Sequence, residues 1–120
     1  MKFISLTPMI WTSKLDETIN FYSEKLGFVC GEKNEEWGWA TLHFDNVEIM
    51  ISVPNSHTTF HKPVFTGTFY FRTDNVDDLW IELKDKANIV YEIDNFEYGM
   101  REFAIYDNNG YVLQFGQEIE

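Results

Sequence analysis

Cys30 is the only cysteine in 120 residues, so no disulfide can form within the chain. It has no basic neighbour nearer than Lys33 to activate it, and it reads as a core thiol. Proline and glycine are also sparse, three and seven residues, which argues against a disordered or low-complexity chain. Basic side chains are outnumbered 9 to 20 by acidic ones, giving a net charge of −11. Such a field repels phosphate backbones and anionic lipid, which argues against nucleic-acid and membrane partners. It would draw in a cationic ligand, although solubility alone also accounts for it. No signal-like segment or long apolar run is present, and the expectation is a cytoplasmic protein. There is no Ser–His–acid set, Gly-rich phosphate loop or nucleotide motif. His57 and His61 have a spacing that suits zinc on a helix, but their surroundings are loop-like and no third ligand is in sight. His43 reads as a surface residue.

Aromatic residues, by contrast, are plentiful: 11 Phe, 6 Tyr and 4 Trp, within a hydrophobic content of 44%. A chain of this length and composition can bury one core as a single domain, residues 1–120. Its most ordered stretch is Gly99 to Gln117. Two alternating runs, Met100–Tyr106 and Tyr111–Phe115, flank Asp107-Asn108-Asn109-Gly110, a turn whose Asp can bond its own backbone and whose Asn and Gly tolerate positive φ. Alternation puts Phe103, Ile105, Tyr111, Leu113 and Phe115 on one face, suited to packing under a helix. Glu102, Ala104, Tyr106, Val112, Gln114 and Gly116 fall on the other, suited to a wet cleft. An inward amide at Gln114 needs partners, and the expectation is that water or a ligand supplies them.

The chain also repeats itself. Ser13 reads as an N-cap with Asp16 three residues on, followed by Leu15, Ile19, Tyr22 and Leu26 at helical spacing and Gly27 as a stop. Sixty-one positions later stand Asp74, Asp77, then Val76, Trp80, Leu83 and Ala87, with Asn88 as the stop. The later hairpins align at an offset of 64. Two halves therefore share the order strand, helix, three strands. The first has strand Met1–Trp11, helix Lys14–Leu26, and strands near Phe28–Glu32, Trp37–Phe44 and Val47–Val53. The second has strand Thr66–Thr73, helix Val76–Ala87, and strands near Ile89–Glu92, Arg101–Tyr106 and Tyr111–Phe115. This gives an α+β fold of two βαβββ modules, 1–53 and 66–120, joined by a linker over 54–65. Each helix covers one face of its sheet. The other face needs a second copy, in the same chain or another, and the product is a curved mixed sheet with a concave cleft.

Paired βαβββ modules, with Phe21-Tyr22, Leu26-Gly27-Phe28, Trp37-Gly38-Trp39-Ala40 and Asp107–Phe115, resemble the vicinal oxygen chelate superfamily of glyoxalase I, extradiol dioxygenases, and fosfomycin- and bleomycin-resistance proteins. Asn108 stands where that family usually has Pro. The resemblance implies four inward metal-ligand positions, which carry over to Thr7, Met50, Thr68 and Gln114. None is a His or Glu, so the resemblance points to the metal-free, bleomycin-resistance type, with no cofactor, a homodimeric assembly and a cleft for a bulky cationic or aromatic compound. Trp11, Trp39, Tyr70, Arg72 and Glu102 complete the candidate cleft. Arg72 and Glu102 could orient a ligand or pair with each other. By the offset of 64, Trp39 matches Phe103, on the helix side. The alternative is a metal-independent enzyme using Glu102 or Glu48 as a general base.

Overall fold

The structure is a computed structural model describing residues 1–120. It divides into two compact units, Met1–Lys62 and Pro63–Glu120. In the first, β1 (Met9–Trp11) leads into α1 (Leu15–Asn20), which runs on as a π-helical turn (Phe21–Lys25). Then follow β2 (Val29–Asn34), β3 (Trp39–Phe44) and β4 (Val47–Ser52). The second has β5 (Phe69–Arg72), α2 (Val76–Leu83), β6 (Asn88–Phe96), β7 (Met100–Tyr106) and β8 (Val112–Glu118). The sheets are ordered β1-β4-β3-β2 and β5-β8-β7-β6, with the first pair parallel and the others antiparallel. This is the α+β architecture of two βαβββ modules that the repeat predicts.

The repeat extends to individual atoms. Thr12 Oγ1 accepts the Lys14 N–H at 2.9 Å, and Thr73 Oγ1 accepts the Asn75 N–H at 3.3 Å. Thr12 N–H donates to the Ser52 carbonyl and Thr73 N–H to the Gly116 carbonyl, both at 2.9 Å. Met9 pairs with Met50, as Tyr70 pairs with Gln114. Each helix is covered on its inner side. Trp80 of α2 packs on Phe103 at 5.1 Å, and Phe103 stacks on Phe115 at 5.3 Å. In the first unit Tyr22, Phe28, Leu42, Ile49 and Ile51 form the corresponding core.

Several boundaries differ from the sequence reading, each for a local reason. The first strand is three residues, not Met1–Trp11: β1 pairs only with β4, and Pro8 has no N–H to extend the ladder. The second-module strand is likewise short, starting after Gly67 at φ +139°. The helix N-caps are Lys14 and Asn75, one residue later than Ser13 and Asp74, because Thr12 and Thr73 hold the turn before each helix. Gly27 stops its helix at φ +80° as expected, but Asn88 has no positive φ and opens β6 instead. The second hairpin turn is closed by Asp107, whose Oδ1 accepts N–H groups from Asn109, Gly110 and Tyr111 at 2.8–3.0 Å.

One residue of register changes a site assignment. Trp39 pairs with Ser52, and Glu102 pairs with Gly116. Ser52 and Gly116 are equivalent by the 64 offset, so Trp39 corresponds to Glu102, not to Phe103. The offset is 64 on the last strand of each module but 63 on the strand before it. The difference is one extra residue in the turn between them.

Candidate functional site

Glu102 sits midway along β7 and is 1% exposed. Its neighbour across the ladder, Gly116, is the reason it can be reached from β5. A Cβ added at Gly116 would lie 2.0 Å from the Tyr70 hydroxyl and 2.7 Å from its Cζ. With no side chain there, the phenol of Tyr70 crosses the strand and donates to Glu102 Oε1 at 2.8 Å. From the opposite edge, the Tyr91 hydroxyl donates to Oε2. Gln114 Nε2 donates to the Tyr91 hydroxyl at 2.9 Å and, more distantly, to Glu102 Oε2 at 3.4 Å. Both carboxylate oxygens are therefore occupied by donors from three strands, as a buried anion requires.

Burial first, and then the bond to Glu102, push the Tyr91 phenol from about 10 up to about 12. The same causes raise Tyr70. Tyr98, on the turn after β6, is raised first by desolvation and then by the nearby Glu102 carboxylate. The phenols thus stay protonated at neutral pH and remain donors to the carboxylate.

Against this cluster lies a cavity of about 570 Å³ lined by Tyr91, Glu92, Ile93, Asp94, Phe96, Tyr98 and Gln114. Every lining residue belongs to the second unit. Tyr91 and Phe96 meet at 80° with centroids 5.7 Å apart, and Phe96 stacks with Tyr98 at 12° and 5.6 Å. Glu102 lies behind the lining, covered by Tyr91 and Gln114.

The sequence candidates distribute as follows. Thr68, Tyr70, Glu102 and Gln114 come together in the second unit, with Thr68 Oγ1 donating to Gln114 Oε1. The amide of Gln114 is thus satisfied at both ends by protein groups, and the expectation that water or a ligand must meet it is corrected. Arg72 does not join Glu102. It is exposed and pairs with Glu118. In the first unit, Ser52 pairs with Trp11 on one side and Trp39 on the other, while Met50 pairs with Met9 and Thr41. Trp11 also meets Phe60 edge to face at 5.8 Å. Thr7 precedes β1. Glu48 is half-exposed beside His43, 3.5 Å from its Nδ1. Sequence reasoning missed Phe96 and Tyr98 because it ended the strand at Glu92, and missed Tyr91, inside that strand, because it assigned no faces there. The apolar positions Tyr91 and Ile93, with Phe96 beyond, were the available signal.

The residues at the four expected ligand positions do not fit a divalent cation. Thr7, Met50, Thr68 and Gln114 offer neutral, weakly donating atoms, and those of Thr68 and Gln114 are spent on each other and on Tyr91. No three His, Cys, Asp or Glu side chains gather where they could hold a metal ion. Glu102 does not line the cavity itself, so for it to act as a base on a ligand there Tyr91 or Gln114 would have to move aside.

A profile of the Glyoxalase/Bleomycin resistance protein/Dioxygenase superfamily matches residues 5–115. Comparison with curated proteins found no match. Among solved structures, a protein of unknown function from Agrobacterium tumefaciens str. C58 superimposes with a TM-score of 0.84 at 16% identity, covering 99% of this chain and 97% of that one. A glyoxalase/bleomycin resistance protein/dioxygenase from Alicyclobacillus acidocaldarius gives 0.77 at 17%, covering 96% and 91%. Lactoylglutathione lyase from Agrobacterium tumefaciens gives 0.76 at 16%, covering 98% and 96%. At these identities the likeness is one of fold.

Proposed function

This chain belongs to the glyoxalase/bleomycin resistance protein/dioxygenase superfamily, and on that footing we propose that it is a metal-free small-molecule binding protein that sequesters a cationic aromatic compound, in the manner of the bleomycin-resistance type. The observation that carries the reading is Glu102. Its carboxylate stands behind an aromatic cavity, with both oxygens held by Tyr70, Tyr91 and Gln114. Glu102 is not itself part of the cavity lining, so a ligand there meets its field rather than its oxygens, which favours binding over general-base catalysis. Phe96, Tyr98 and Tyr91 supply faces for stacking and cation–π contact. A net charge of −11 concentrates cations around the molecule.

The protein acts as a homodimer in this reading. Phe3, Ile4 and Leu6 are each more than 80% exposed, an apolar run that a second copy would cover. Sedimentation equilibrium is expected to give twice 14.2 kDa. A mass of one chain would contradict the dimer.

The functional test is equilibrium dialysis of chelator-treated protein against a panel of cationic aromatic compounds, with mass spectrometry of what is recovered. Saturable binding of an unchanged compound is expected. Conversion of the compound would favour the enzyme reading, with Glu102 as its base.

A further inference from the structure

We propose that the cavity of the second unit selects cations that carry no N–H donors, that is quaternary ammonium or N-alkylated aromatic nitrogen, over primary amines of the same charge. The inference rests on the cation-binding reading above and names the ligand class of that site.

A primary ammonium leaving water must find acceptors for three N–H groups, and each one left unmet is penalised. The inner end of the cavity has few to give. Glu102 accepts from Tyr70, Tyr91 and Gln114, and its field reaches the cavity through Tyr91 and Gln114. Gln114 Oε1 accepts from Thr68. A quaternary nitrogen asks for no acceptors. It asks for nearby negative charge and for π faces, and this site offers both. The planes of Tyr91 and Phe96 stand at 80°, and Tyr98 lies nearly parallel to Phe96, so two aromatic walls meet near a right angle. Glu92 and Asp94 also line the cavity but are exposed. A primary amine paired with them stays in water, where such pairs contribute little.

Three benzyl probes test this by calorimetry at neutral pH: benzyltrimethylammonium, benzylammonium, and neopentylbenzene, the neutral carbon isostere of the first. The quaternary cation is expected to bind at least about ten-fold more tightly than either of the others, the gap from the neutral probe reporting the charge and that from the amine reporting the exchange of N–H groups for methyl groups. Equal or tighter binding of benzylammonium overturns the selectivity while leaving the cation-binding reading in place. Binding of neopentylbenzene as tight as that of the cations, or no binding of any probe, overturns both. Tyr98→Ala serves as the control that keeps the fold, since Tyr98 is 65% exposed. It should weaken benzyltrimethylammonium by about ten-fold and leave benzylammonium nearly unchanged. An unchanged affinity for the quaternary cation would place it elsewhere and overturn the proposal.

Discussion

Gly116 makes the Glu102 cluster possible, and substitution there tests the arrangement directly. In Gly116→Ala the new methyl would overlap the Tyr70 hydroxyl, so the phenol must swing out toward solvent and abandon Glu102. A buried carboxylate short of one donor destabilises a fold by about 1–3 kcal/mol. Urea denaturation should show a loss of that size, and the same substitution in a Tyr70→Ala background should cost much less. Equal losses in both backgrounds would mean that Tyr70 is not what the methyl meets. Tyr91 gives a second test, through pH. Its folded pKa of about 12 exceeds the ordinary value near 10, so its contribution is fully present below about pH 10 and is lost as pH rises through about 12. Tyr70 and Tyr98 are shifted in the same direction. Stability should therefore fall steeply above pH 10, and Tyr91→Phe should make that fall shallower. A pH profile identical to wild type would contradict the placement of its hydroxyl on Glu102.

At the scale of elements, the two helices begin alike but are capped differently. Asn75 accepts the Asp78 N–H at 3.2 Å, whereas Lys14 makes no side-chain cap. Asn75→Ala should lower the stability of the protein by about 1 kcal/mol, measured by thermal or urea unfolding, while Lys14→Ala should change it little. Comparable effects at both positions would contradict the cap assignment. The order of elements was legible in the sequence because hydrophobic period, turn residues and a constant offset agreed over Ser13–Leu26 and Asp74–Ala87. The ends were less legible. Where β1 starts depends on which residues of β4 remain to pair, and a π-helical turn leaves no mark in a 3.6-residue period. The faces of β7 and β8 followed from alternation alone: Phe103 pairs with Phe115 and Ile105 with Leu113 on the helix side, while Glu102, Ala104 and Gln114 share the other. The site itself was half-legible for the same reason. Glu102 and Gln114 are fixed by period two, but Tyr91 reaches them from a strand whose pairing with β7 shifts register twice, which no count along the chain reveals.

For the whole molecule, the repeat gives two similar frames that carry different side chains. Where the second module has Tyr70, Gln114 and Ala104 in one row across its sheet, the first has Met9, Met50 and Thr41. Where the second has Arg72, Gly116 and Glu102, the first has Trp11, Ser52 and Trp39. The anionic cluster therefore belongs to one module only, although the chain as a whole is strongly acidic. No helix is long and apolar enough to cross a membrane. In the proposed function this cluster holds a cation by charge and aromatic surface, without metal. Calorimetric titration of chelator-treated wild type and Glu102→Gln with one cationic aromatic compound tests that claim most directly, with circular dichroism to verify that the variant is folded. The expected result is saturable binding to wild type, unaffected by added Zn²⁺ or Ni²⁺, and at least about ten-fold weaker binding to the variant, because the charge is gone while the aromatic walls remain. Binding that requires the metal, or that is equally tight in a folded Glu102→Gln, would contradict it.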